Sequence, residues 1–215
     1  GKPYAQTTPT LVGDRYTSEV RLKSGLVRYR AVLTSELDGQ KAILHTADDL
    51  VCGDAFIIIG QSNAVSTDWG KGEGTYQSEW LRSFGSMSGS PQGLRLWGPA
   101  VHRNHQGGAL TIGYRGMELG QRIIEQQKVP VCFINGAVGG TRIDQHQRNT
   151  VNPTDMTTIY GRLLWRVREA KLTHGIRGIF WHQGENDQGA DGPTGGYGYE
   201  LYREFFHRMA GNWKS

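Results

Sequence analysis

The chain has 215 residues, enough for one α/β domain with a small appendage and a real core. Its 24 basic and 20 acidic residues are dispersed, which argues against a nucleic-acid surface, and no apolar run nears the ~18 residues of a membrane span. Cys52 and Cys132 have neither metal-ligand nor Cys-x-x-Cys spacing, so no metal is expected, and whether they pair is open.

Residues 1–50 read as a small antiparallel β region. Val20 and Leu22 alternate with Glu19, Arg21 and Lys23, and Val27, Tyr29, Ala31 and Leu33 with Arg28, Arg30 and Thr34. That period of two belongs to strands with one buried face. Asp38-Gly39 then separates a strand from the run Lys41 to Thr46, a hairpin signal.

From residue 51 to 215 the pattern changes to alternating strands and helices. Ala55 to Ile59 is a continuous apolar run, the mark of a strand covered on both faces. Trp80 to Gly85, Val129 to Ile134 and Ile176 to Trp181 are further strands. Helices are expected over Gly108 to Gln127, from Met156 to Ala170 behind a Thr154 or Asp155 cap, and from Tyr197 to Met209. This alternation predicts a parallel sheet in a three-layer α/β/α sandwich. In such sheets ligands bind beyond the carboxyl ends of the strands.

Three of those strands run into unusual polar text: Gly60-Gln61-Ser62-Asn63, Asn135 to Thr141, and His182 to Asp187. The first supplies a serine, the second glycine N–H groups that approach a substrate oxygen without a Cβ in the way, and the third amides and carboxylates. Acyl transfer needs such a set: a nucleophile, oxyanion donors and an acid–base partner.

These segments resemble the conserved blocks of the SGNH (GDSL-like) hydrolases, in particular the branch of sialate O-acetylesterases and the family-six carbohydrate esterases that act on acetylxylan. Gly60-Gln61-Ser62-Asn63 is similar to block one and Val138-Gly139-Gly140-Thr141 to block two. Trp181-His182-Gln183-Gly184-Glu185 is similar to that branch's third block, and Trp97-Gly98-Pro99-Ala100 also matches. Ala64 stands where the Gly-x-Ser-x-Gly elbow of α/β-hydrolases requires glycine, which disfavours that fold.

The resemblance implies a flavodoxin-like sandwich and a serine esterase that removes O-acetyl groups from a carbohydrate, either an acetylated polysaccharide such as xylan or a sialic acid. It implies no cofactor and a secreted or periplasmic location. Ser62 is then the nucleophile. Its own N–H, that of Gly140 and a side-chain amide form the oxyanion hole, with Asn186 favoured over Gln183 for the amide. Glu185 is either the acid of a Ser-His-Glu triad or a structural carboxylate that pairs with Arg142 or caps backbone N–H groups. His182 reads as a residue that holds its loop. Trp69, Tyr76, Trp80 and Trp97 offer faces to sugar rings, against core packing as the default. The alternatives are an esterase for another acyl group, or a carbohydrate-binding protein on an esterase scaffold.

Members of the superfamily carry their catalytic histidine in Asp-x-x-His after the last strand. None of the seven histidines here follows an aspartate by three residues, and His207, in Glu204-Phe205-Phe206-His207, sits within the last amphipathic helix. Four parallel strands are counted where the fold expects five. The expectation is therefore that the last strand, its helix and the histidine come from a carboxyl-terminal continuation or a second chain.

Overall fold

The computed structural model describes residues 3–9, 12–67, 76–87, 94–103, 108–188 and 199–214. The chain divides into two compact units, residues 1–52 and 53–215.

In the first unit β1 (Arg28–Leu37) and β2 (Gln40–Val51) form an antiparallel ribbon. Asp38 and Gly39 both take positive φ, 51° and 77°, as a two-residue hairpin turn requires. The alternation at Val20 and Leu22 does not become a strand. That segment lies outside the ribbon, and Val20 is largely exposed.

The second unit is built on β3 (Asp54–Gly60), β4 (Leu81–Phe84), β5 (Trp97–Pro99), β6 (Val131–Asn135) and β7 (Ile176–His182). Their order is β5-β4-β6-β3-β7, with β4, β6, β3 and β7 parallel and β5 antiparallel to β4. The four parallel strands stand where the apolar runs predict them. β5 is an addition, because three residues containing Gly98 and Pro99 carry no strand pattern.

Both faces of the sheet are covered. On one, Ile58, Val131 and Phe133 pack against Met117 and Ile124 of α2 (Gly113–Gln127). On the other, Ile57, Ile59 and Ile134 pack against Leu163 and Val167 of α3 (Ile159–Glu169). Each fully buried isoleucine of β3 contributes roughly 1.5–3 kcal/mol relative to exposure. α3 begins later than its apolar period suggests. Its cap is Thr158, whose Oγ1 accepts from Gly161 N at 3.0 Å. Asp155 is occupied one step earlier, accepting from Thr157 N at 2.9 Å.

Arg166 is a deeply buried cation in this sandwich. Arg166 of α3 is 2% exposed and donates from Nε and Nη2 to Phe84 O and from Nη1 to Asn135 O. It thereby holds the carboxyl ends of β4 and β6. Burial lowers its pKa to about 10, so it stays charged at neutral pH.

α4 (Tyr199–Lys214) is the last described element. Tyr160 donates to Asn212 O at 3.2 Å, and its ring lies 4.6 Å from that of Trp213. Cys52 and Cys132 are free thiols, the latter in β6 with its pKa pushed up to about 12 by burial. No described helix is long and apolar enough to cross a membrane.

Candidate active site

β6, β3 and β7 are adjacent and parallel, so the three polar loops that follow them meet at one edge of the sheet. The chain turns there under a tight constraint. Gly60 has φ +142°, and a Cβ on it would stand 1.9 Å from His182 O. Only glycine fits.

Directly after this turn comes α1 (Ser62–Val65), a single helical turn whose first residue is Ser62. Among the described residues none hydrogen-bonds the Ser62 hydroxyl. Gln61, 3% exposed, points inward, and its Oε1 accepts from Asn186 N at 3.2 Å and Gly184 N at 3.4 Å. One buried amide thus ties the first loop to the third.

The glycine loop is laid beside the serine by a continuation of the ladder. Gly136 N donates to Ile58 O at 2.8 Å and Val138 N to Gly60 O at 3.0 Å. A Cβ placed on Gly139 would lie 3.9 Å from Ser62 Cβ. Gly140 next to it has φ +73°, with open space around its α-carbon.

The third loop carries three polar side chains in different situations. Gln183 Nε2 donates to Thr141 O at 3.1 Å and also to Asp187 Oδ2, so both its amide hydrogens are engaged. Asp187, 6% exposed, also accepts from Ile143 N at 3.1 Å and so anchors the far end of the glycine loop. Among the described residues Asn186 makes one long side-chain contact, 3.5 Å to Thr141 O, and it is exposed. Tyr202 of α4 braces this loop by donating to Gln183 O at 2.9 Å while accepting from Trp181 Nε1 at 3.1 Å.

Glu185 does not pair with Arg142, which forms its ion pair with Asp144 at 3.1 Å. Glu185 Oε1 instead accepts from Asn63 Nδ2 and lies 3.5 Å from His182 Nε2. Hydrogen bonds from its own backbone and from Asn63, with His182 and Arg115 nearby, hold its carboxyl below the usual range. His182 is engaged at both nitrogens, Nδ1 by the Arg115 guanidinium and Nε2 by Glu185. In this arrangement neither is left to take a proton from Ser62.

Arg115 and Asn63 are residues that sequence reasoning passed over. Asn63 lay inside the quoted motif with no role attached, and no local signal marks Arg115. It reaches the site because Ser66, the left-handed cap of α1, accepts at its Oγ from Arg115 N at 3.2 Å. Tyr76 and Trp80 pack against the core, while Trp97 stays 46% exposed against Phe84. Trp69 lies outside the described residues.

Comparison with known proteins then identifies the family. Residues 52–210 match the family model of the carbohydrate esterases described as sialic acid-specific acetylesterases. The chain belongs to this family. A carbohydrate acetylesterase from Xanthomonas citri is similar in structure at 22% identity and TM-score 0.53, over 85% of this chain and 42% of that one. A protein from Arabidopsis thaliana is similar at 19% identity and TM-score 0.53, over 75% of this chain and 68% of the other. These likenesses establish the fold. No curated protein matches the sequence.

Two outcomes follow from the loop geometry. Gln183→Ala should destabilise the protein by about 1–3 kcal/mol, since it removes the one amide that donates to both Thr141 O and buried Asp187, whereas Asn186→Ala should stay within about 0.5 kcal/mol. Equal effects in urea unfolding would contradict this division. His146, fully buried with Nε2 2.8 Å from Thr141 Oγ1, has its pKa lowered by burial from 6.5 to about 4. The folded state thus resists protonation that the unfolded chain accepts. This contribution is complete above pH 6.5 and is lost as pH falls toward 4, by roughly 3 kcal/mol. Unfolding midpoints should fall less steeply over that window in His146→Gln than in the wild type, and parallel curves would exclude His146 as a source of acid sensitivity.

Proposed function

We propose that this carbohydrate esterase is a serine O-acetylesterase working through an acetyl-enzyme. The observation that carries the proposal is the placement of Ser62, on a one-turn helix after a buried strand, with the glycine loop against its Cβ. Ser62 Oγ attacks the acetyl carbonyl while an imidazole takes its proton. The tetrahedral oxyanion is met by the N–H groups of Ser62 and Gly140 and by the side-chain amide of Asn186. Asn186 is preferred to Gln183 because the Gln183 amide is already engaged on Thr141 and Asp187. Collapse expels the sugar hydroxyl, which recovers the proton from the imidazole, and water then releases acetate.

The imidazole is assigned to a segment that docks along the outer edge of β7, a carboxyl-terminal continuation or a second chain. Among the described strands β7 pairs with β3 alone. Its Ile179 and Phe180, on opposite faces, are 38% and 41% exposed, unusual for a parallel strand. A further strand there ends beside His182 and Glu185. Glu185, held ionised and joined to Ser62's neighbour Asn63, is the carboxylate that orients the incoming ring.

The substrate is an acetylated carbohydrate. The family description favours a sialic acid, and the resemblance to family-six esterases adds acetylated xylan and related polysaccharides.

Acetate release separates these claims. The chain with its carboxyl-terminal continuation, offered acetylated xylan, xyloglucan and O-acetyl sialic acid, should release acetate from at least one. Ser62→Ala should abolish the release while keeping the fold, Asn186→Ala should lower kcat by ~10²–10³ with little change in KM, and residues 1–215 alone should be nearly inactive. Full activity in Ser62→Ala would remove the serine from the mechanism. Full activity of residues 1–215 would remove the docking segment.

A further inference from the structure

Asn135, the last residue of β6, is fully buried among apolar strands and uses its side chain in three directions. Nδ2 donates to Ala64 O and to Ile112 O, each at 3.0 Å. Oδ1 accepts from Ala137 N at 2.9 Å. Those three partners belong to three separate pieces of the site. Ala64 lies in α1, two residues after Ser62. Ile112 caps the amino end of α2, which carries Arg115. Ala137 lies at the start of the glycine loop, one residue after Gly136. Nothing in the assigned roles of Ser62, Gly140, Gln183, Glu185 or Asn186 uses this residue.

The need for such a tie follows from the shortness of α1. One turn fixes several dihedrals for very few hydrogen bonds, so it does not persist on its own. Its last carbonyls need outside donors, and Ala64 O finds one in Asn135. The glycine loop has the opposite weakness, since its small residues restrict the backbone little. Asn135 fixes both from the same planar amide, so the donor–acceptor spacing of that amide sets the separation between the nucleophile and the oxyanion loop. Arg166 holds the amide's own position through Nη1 on Asn135 O at 2.6 Å.

We propose that Asn135 is a positioning residue: its buried amide locks the Ser62 turn and the Gly136–Gly140 loop in mutual register for acyl transfer. The proposal rests on the esterase assignment for its catalytic consequence, but the lock itself is a property of the fold. Asn is required at this site by chemistry and shape together. Leucine has similar bulk and satisfies none of the three groups. Aspartate keeps the acceptor for Ala137 N but sets an oxygen against two carbonyl oxygens.

The test uses the protein, together with the segment proposed to supply the imidazole, in four forms: wild type, Asn135→Leu, Asn135→Asp and Val167→Ala. Val167→Ala is a control for general core loss, since Val167 is buried on α3. Amide hydrogen exchange is followed at Val65 and Ser66 and at Ala137 and Val138, with kcat and KM for acetate release measured at a temperature where all forms are folded. Asn135→Leu should speed exchange in both segments together, by at least tenfold beyond the control, and lower kcat by ~10²-fold with KM nearly unchanged. Asn135→Asp should release Val65 and Ser66 more than Ala137. If exchange in the two segments rises no more than in the control, or kcat falls no further than in the control, the lock is refuted. Should Asn135→Leu not fold, the Asn135→Asp exchange pattern decides alone. Should the wild type release no acetate, the esterase assignment falls and the exchange data still decide for or against the lock.

Discussion

Everything at the site depends on how closely β3 and β7 run at their carboxyl ends. Gly60 lies so near His182 O that a Cβ there would sit at 1.9 Å, and the next residue donates its N–H to the same carbonyl at 3.1 Å. A chain squeezed in this way cannot continue as a strand beside its neighbour. It must turn out of the sheet within one residue, and that residue, Gln61, keeps its side chain buried. Ser62 is consequently delivered at the sheet edge, flanked on both sides by the loops of adjacent strands. The isoleucines of β3 supply the driving force that holds this strand in the middle of the sheet.

Around this constraint the polar groups divide by accessibility. The buried ones, Gln61, Asn135 and Asp187, and half-buried Gln183 bond chiefly to the backbone of neighbouring loops and fix their spacing. The exposed ones, Asn63, Arg115, His182, Glu185 and Asn186, form a fringe on the surface beside Ser62. Such an arrangement suits catalysis by preorganised dipoles, because donors fixed beforehand need no reorganisation when negative charge develops on the carbonyl oxygen. It also accounts for the neutral imidazole of His146 under the loop. Its apolar surroundings, including the Trp181 ring at 5.2 Å, favour the uncharged form.

The sheet was the legible part of the sequence because strands buried on both faces leave continuous apolar runs, as at Ala55 to Ile59. The serine and its flanking loops were legible because each followed such a run. Elsewhere local pattern misled. The alternation at Val20 and Leu22 has a strand period, but no ribbon partner takes it up. The cap of α3 was placed at Thr154 or Asp155, since both are good capping residues, yet the Asp155 side chain is engaged by Thr157 and Thr158 caps instead. The partners of Glu185 come from α1, α2 and β7, and no spacing in one dimension brings Asn63, Arg115 and His182 to mind together. Asn135 has the look of loop text, because a polar residue at a strand end ordinarily belongs to the loop. Only its burial and three bonds mark it otherwise.

The central claim is that Ser62 is an activated nucleophile. It is tested most directly by treating the protein, together with the segment proposed to supply the imidazole, with a fluorophosphonate and mapping the adduct by peptide mass spectrometry. The geometry predicts one stoichiometric adduct on Ser62, formed in competition with acetylated carbohydrate and lost on unfolding. An adduct on another residue, or none on a protein that still releases acetate, would contradict the account.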